Sequence, residues 1–226
     1  MRGTRDYAAL QSGPIVPQML KLAAPMIVAF AFSTSYNFVD RYFVSRLGDL
    51  ATAAVGMAFL VQLVLISLGS GIGAGINSFI SRNLGAGKKE EALKATIHAW
   101  LMAIGIGVLF GGIGLLIQRP LFHALGASEP VLALVTNYLT IIFLFAPLIL
   151  LLMFTNSVFQ GWGNTVFPMI FMLTGTISNL VLDPLLIFGL GPFPRLEMQG
   201  AALATGLGRV LALSIAVVVL FLYHKP

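Results

Sequence analysis

Residues 93–117 read LKATIHAWLMAIGIGVLFGGIGLLI, and no charged side chain interrupts the chain between Lys94 and Arg119. An α-helix rises 1.5 Å per residue, so about 20 apolar residues cross the hydrocarbon of a bilayer. This stretch has the length and the composition of a membrane span. Comparable stretches lie on both sides of it, at about 19–45, 52–80, 130–157, 166–190 and 199–223. Each gap carries a charge or a helix breaker: Arg46 to Leu50, Arg82 through Glu91, Arg119-Pro120, Gly161-Trp162-Gly163-Asn164, and Gly191-Pro192-Phe193-Pro194-Arg195. The whole sequence is 58% hydrophobic and 9% charged, far from the balance of a soluble domain. The expected fold is all-α and integral to the membrane, a bundle of six transmembrane helices with no room for a separate soluble domain.

The net charge of +5 sits in the gaps and not on one amphipathic face, so it reads as a topology signal and no nucleic-acid partner is expected. Placing the amino terminus in the cytoplasm puts Arg2, Arg5, Lys21, Arg82, Lys88, Lys89, Lys94 and Lys225 inside, against Arg41, Arg46, Arg119 and Arg195 outside. Residues 1–18 lack the order of a signal peptide and are expected to stay as a cytoplasmic lead-in. Six spans return the carboxyl terminus to the cytoplasm. A second unit of this kind would enter the bilayer in the same direction, as a parallel repeat. The expected location is the plasma membrane.

No cysteine is present, and His98, His123 and His224 have no zinc-binding spacing. Gly71-x-Gly73 lies inside a span with no strand before it, and no nucleophile and base fall into a recognisable pattern. Neither an enzyme nor an organic cofactor is expected. The glycines of the second and third spans, Gly69, Gly71, Gly73, Gly75, Gly105, Gly107, Gly111, Gly112 and Gly114, read as close-packing positions between helices.

An ionisable group inside a span costs roughly 2.5 to 3.5 kcal/mol on insertion scales, so each needs a reason. Asp40, Asp183 and Arg209 lie well within the spans. Asp40 follows Tyr36 by four residues and Asp183 follows Asn179 by four, so each carboxylate shares a helix face with a polar neighbour. Counted from the expected outer ends, both acids lie roughly 9 to 12 Å deep and Thr205 roughly 8 to 10 Å. Two carboxylates, an amide and a hydroxyl in one low-dielectric layer suit a proton or a sodium ion. The structural alternatives are that Asp40 pairs with Arg41 or Arg46 near a helix end and that Asp183 prepares the break at Pro184. Arg209 is expected to pair with an acid or to snorkel. Pro25, inside the first span, is a hinge or a fixed kink. Asn156, with Gln160 close by, either faces an internal cavity or caps a helix end, and Met153, Met169 and Met172 either line a tolerant binding wall or pack.

These residues resemble a known family. Tyr36 through Ser45 with Leu47-Gly48, Gly71 through Gly87, Asn179 through Gly189 with its Asn-x-x-x-Asp-Pro pattern, and Gly200-Ala201-Ala202-Leu203-Ala204-Thr205 are similar to the amino-terminal half of multidrug and toxic compound extrusion (MATE) transporters, especially the DinF-like branch. The resemblance implies an antiporter that exports small organic, cationic drug-like molecules against protons or sodium. It places the cation site at Asp40, Asn179, Asp183 and Thr205, with Tyr36 beside it and Pro25 as the proline of a bending first helix. The relatives have twelve spans in two lobes, so the expected partner is a second six-helix lobe, as a carboxyl-terminal half or a homodimer mate. A lipid-linked precursor flippase and a non-transporting structural lobe are the alternatives.

Overall fold

The computed structural model describes residues 14–223. They form six helices long and apolar enough to cross a membrane: α1 (Ile15–Ser45), α2 (Asp49–Gly85), α3 (Lys89–Ala124), α4 (Glu129–Gly161), α5 (Val166–Phe188) and α6 (Glu197–Tyr223). Most exceed the apolar spans read from the sequence, because a hydrogen-bonded ladder continues past the hydrocarbon edge wherever the chain offers no breaker. The clearest correction is at Arg119-Pro120. The sequence reading ends the third span there, whereas α3 carries Pro120 in its interior and runs on to Ala124. The turn falls at Gly126, whose φ of 83° suits a residue without a Cβ. Residues 15–18, read as lead-in, are the first turn of α1. Residues 1–13 of that segment lie outside the described residues.

Helix α4 is the centre of the bundle. It packs along α2, α3 and α6, and its Val135, Leu139, Ala146, Leu150 and Phe154 are fully enclosed. Such a helix has to be apolar on every face, which is why no amphipathic stripe is legible in its sequence. Since lipid tails are as apolar as leucine, the contacts are secured by close backbone approach. Gly107 and Gly111 of α3 lie so near Pro147 and the Phe143 carbonyl of α4 that a Cβ at either would collide with backbone. Gly69 and Gly73 of α2 lie against the side chains of Met153 and Ser157 of α4. By contrast Gly71, Gly75, Gly105 and Gly112 face open space, so the packing expectation holds for one side of each glycine run only.

The second close seam joins α5 and α6, with α1 laid against α5 rather than against its chain neighbour α2. Gly200 packs on the Leu186 carbonyl and Gly208 on the Gly175 carbonyl, where a Cβ would come to 2.5 Å and 2.8 Å respectively. The α5–α6 loop folds back over the end of α5, with the Leu196 N–H donating to the Leu186 carbonyl at 2.9 Å. Gly189, at φ 69°, allows this, since a Cβ there would stand 2.7 Å from the Arg195 nitrogen.

Candidate functional site

Asp183 is five residues, about 8 Å, below the covered end of α5. Its side chain is 0% exposed, and that of Asn179 7%. One helical turn separates them, and the Asn179 amide Nδ2 donates to Asp183 Oδ1 at 3.0 Å. A carboxylate removed from solvent in a bilayer interior costs several kcal/mol unless its charge is met. The amide is a neutral donor, and its bond fixes the carboxylate on one face of α5.

Helix α1 brings a second carboxylate. Asp40, half-buried, lies five residues from the end of α1. Both Asp40 and Asp183 are near enough for their charges to bear on the hydroxyl of Tyr138 in α4, whose ring is buried. Tyr138 is held in turn by α2, where Gln62 Nε2 donates to its hydroxyl oxygen at 2.7 Å. Above this layer the rings of Phe43 and Phe188 meet edge to face, 6.1 Å between centroids, and the polar cluster lies beneath them. Arg41 and Arg46 are turned to aromatic rings, Arg41 over Phe59 at 5.6 Å and Arg46 over Tyr42 at 5.5 Å. Cation–π contact gives both guanidinium groups a role other than neutralising Asp40.

Thr205 of α6 is half-buried. The contacts of Gly200 with Leu186 and of Gly208 with Gly175 and Asn179 fix the register of the seam, and Thr205 falls between them, at the level of Asn179 and Asp183. Five helices therefore contribute to one polar layer. Pro25 is inside α1, toward the opposite end of the bundle. Beside it Met26 Sδ is 4.0 Å from Gln160 Nε2 of α4. Asn156 and Met172, both half-buried, lie near that same end, five residues from the end of α4 and six from the start of α5. The Asn156 Oδ1 is enclosed and has no hydrogen-bond partner among the described residues.

The MatE family model matches residues 25–185, which contain both carboxylates and the Asn179 amide. The chain belongs to the MATE family. Its members are transporters and not enzymes, and this MATE chain is a multi-pass membrane protein of that class. It is 37% identical over 222 residues, 98% of its length, to the FAD transporter of Shewanella oneidensis, of which it covers 49%. It is 30% identical over 203 residues to the multidrug export protein MepA of Staphylococcus aureus, matching 89% of this chain and 44% of MepA. Among solved structures it superposes, with a TM-score of 0.86 and 31% identity, on a MOP superfamily transporter from Pyrococcus furiosus whose reversed binding-pocket polarity suggests a different function. That match takes in 92% of this chain and 45% of the other. The MATE chain thus spans about half the length of the relatives it matches, as a single lobe would.

Of the residues singled out in the sequence, the structure joins Asn179 and Asp183 directly, sets Thr205 in register with them, and places Asp40 at a similar depth on α1. Asn156 and Met172 belong to another level, Met172 seven residues from Asn179 and eleven from Asp183 along α5. The Tyr36 side chain lies outside the described residues, although its backbone is in α1. Sequence reasoning missed Tyr138 and Gln62. Neither ionises near neutrality, so neither stands out as costly in a span. A signal was nonetheless present, since both are polar residues in the half of their helices that ends at this layer.

Proposed function

We propose that this MATE chain is the cation-binding lobe of an ion-coupled exporter of small organic molecules in the plasma membrane. The observation that carries the reading is the fully enclosed Asp183 with an amide donor one turn away and a second acid, Asp40, at a similar depth on α1. Asp40, Asn179, Asp183 and Thr205 supply oxygen ligands for sodium or, at the carboxylates, a place for a proton. A bound cation changes the charge of the layer, so cation occupancy biases its conformation. Pro25 supplies the hinge in α1 through which that bias becomes movement. A second six-helix lobe, covalently joined or from another copy, completes the transport path.

Two cargo readings follow from the relatives. Likeness to a multidrug export protein favours cationic drug-like molecules. The higher identity, over nearly the whole chain, to an FAD transporter favours a dinucleotide.

The test of the cation site is a sodium and pH titration of the chain in nanodiscs, followed by tryptophan fluorescence and thermal stability. Asp183→Asn and Asp40→Asn should insert normally and lose the cation response, and efflux by the assembled transporter should stop in both. If the site takes sodium, its affinity should fall as the pH is lowered, because protons compete for the same carboxylate oxygens. An unchanged response in both variants would sink the assignment.

A further inference from the structure

Gln118 lies six residues, about 9 Å, from the end of α3. It is 8% exposed, and its amide Nε2 donates to the Thr140 hydroxyl of α4 at 3.0 Å. The amide Oε1 is enclosed and has no hydrogen-bond partner among the described residues. Buried acceptors of this kind are rare, because nothing in apolar surroundings replaces the missing bond. Gln118 also belongs to the wall of a cavity of about 210 Å³ between α2, α3 and α4. Every other residue of that wall is apolar or glycine, and none is charged. Val64, Ile113 and Ile117 are exposed, whereas Phe122, Phe143 and Gln118 are buried, so the cavity opens outward from the bundle and closes toward α4. Phe110 and Phe143 bring two rings to the wall, 5.8 Å between centroids and tilted by 58°. Gly114 makes room for the second of them, since the Phe143 ring lies where a Cβ would stand.

We propose that this cavity is a binding site for a neutral apolar molecule that carries a hydroxyl on a ring and enters from the bilayer. Volume sets the size. An engineered apolar cavity of about 150 Å³ holds benzene, so one of about 210 Å³ takes a ring with short alkyl branches. The wall sets the polarity. Without a charge it offers nothing to a cation or an anion, and its two phenyl rings favour a third, set edge to face or offset. The amide sets the polar group. A lipid tail in the same place has no donor and leaves Oε1 unpaired. A hydroxyl both donates and accepts, so it serves the Gln118 amide whichever of its ends is turned to the cavity. The terminal torsion of a glutamine is broad, which lets the amide turn toward an occupant without leaving its rotamer. No residue of the polar layer lines the cavity, so the site stands or falls apart from the cation reading.

The experiment compares thymol with p-cymene, the same molecule without the hydroxyl, on the whole chain in phosphatidylcholine nanodiscs. The chain has no cysteine, so Ile113→Cys carries a single fluorine label at the rim. The fluorine resonance is followed against the mole fraction of each probe in the bilayer, which removes the difference in how the two partition. A neutral hydrogen bond to the amide should let thymol saturate the shift at a mole fraction roughly five- to tenfold lower than p-cymene. Adding Gln118→Leu, which keeps an apolar side chain in place of the amide, should abolish that difference. Ile117→Trp, which fills the cavity from its rim and keeps Gln118, should abolish saturation by both probes. Equal saturation by the two probes while Gln118 is present, or a thymol preference that survives in Gln118→Leu, overturns the proposal. A shift that drifts with both probes and never saturates marks partition into lipid alone and overturns it too. If Gln118→Leu does not fold, Ile117→Trp decides, and thymol saturation unchanged in that variant overturns the proposal as well.

Discussion

The hydroxyl of Tyr138 and the amide of Gln62, neither of which ionises near neutrality, form a polar pair between α4 and α2. Gln62 donates to Tyr138 at 2.7 Å in an interior with no bulk water to replace it. Removing one partner of such a bond strands the other, at a cost of about 1 to 3 kcal/mol, while removing both together is far cheaper. Tyr138→Phe should therefore lower the thermal stability of the chain in detergent by that amount, and adding Gln62→Leu should return part of it. A double variant no better than the single one would show that the two side chains do not act as a pair. Asn179→Leu is predicted to be worse than Tyr138→Phe in cation response, since it strips a donor from Asp183 itself.

At the scale of elements, the glycines divide into two kinds that the sequence does not distinguish. Gly107→Val forces a branched side chain into the backbone of α4 at Pro147 and should destabilise the lobe by about 1 to 3 kcal/mol, while Gly105→Val and Gly112→Val, facing open space, should stay within about 0.5 kcal/mol. Chemical unfolding of the three variants side by side measures the contrast. Pro25→Ala is predicted to leave cation binding unchanged and to slow transport, because it acts on the hinge and not on the polar layer. The six helices were legible because a bilayer demands long apolar runs and the chain marks most gaps with charge. The α3 end was not, because the helix carries Pro120 in its interior and turns only at Gly126. Depth alone groups Asp40, Asn179, Asp183 and Thr205, and within that group the structure bonds Asn179 to Asp183. What depth does not give is rotation about each helix axis, and the meeting of Tyr138 with Gln62 depends on it.

Across the whole molecule, α4 is enclosed by its own lobe, whereas α1, α2 and α3 keep broad apolar faces outward, among them Phe30, Leu63 and Leu116. Lipid covers such faces, and so does another lobe. Crosslinking in native membranes is predicted to yield a species that contains a second six-helix unit, and recovery of monomer alone would contradict the two-lobe reading. The preference of α1 for α5 adds a matter of timing. During synthesis α1 enters the membrane with Asp40 already in it, and its principal neighbour follows only after roughly 120 more residues, on the order of ten seconds at ribosomal speed. Over that interval an acidic helix waits in lipid without the surface it is built to meet. The yield of the inserted chain is therefore predicted to change with translation rate, and a yield that stays the same when translation is slowed would contradict this.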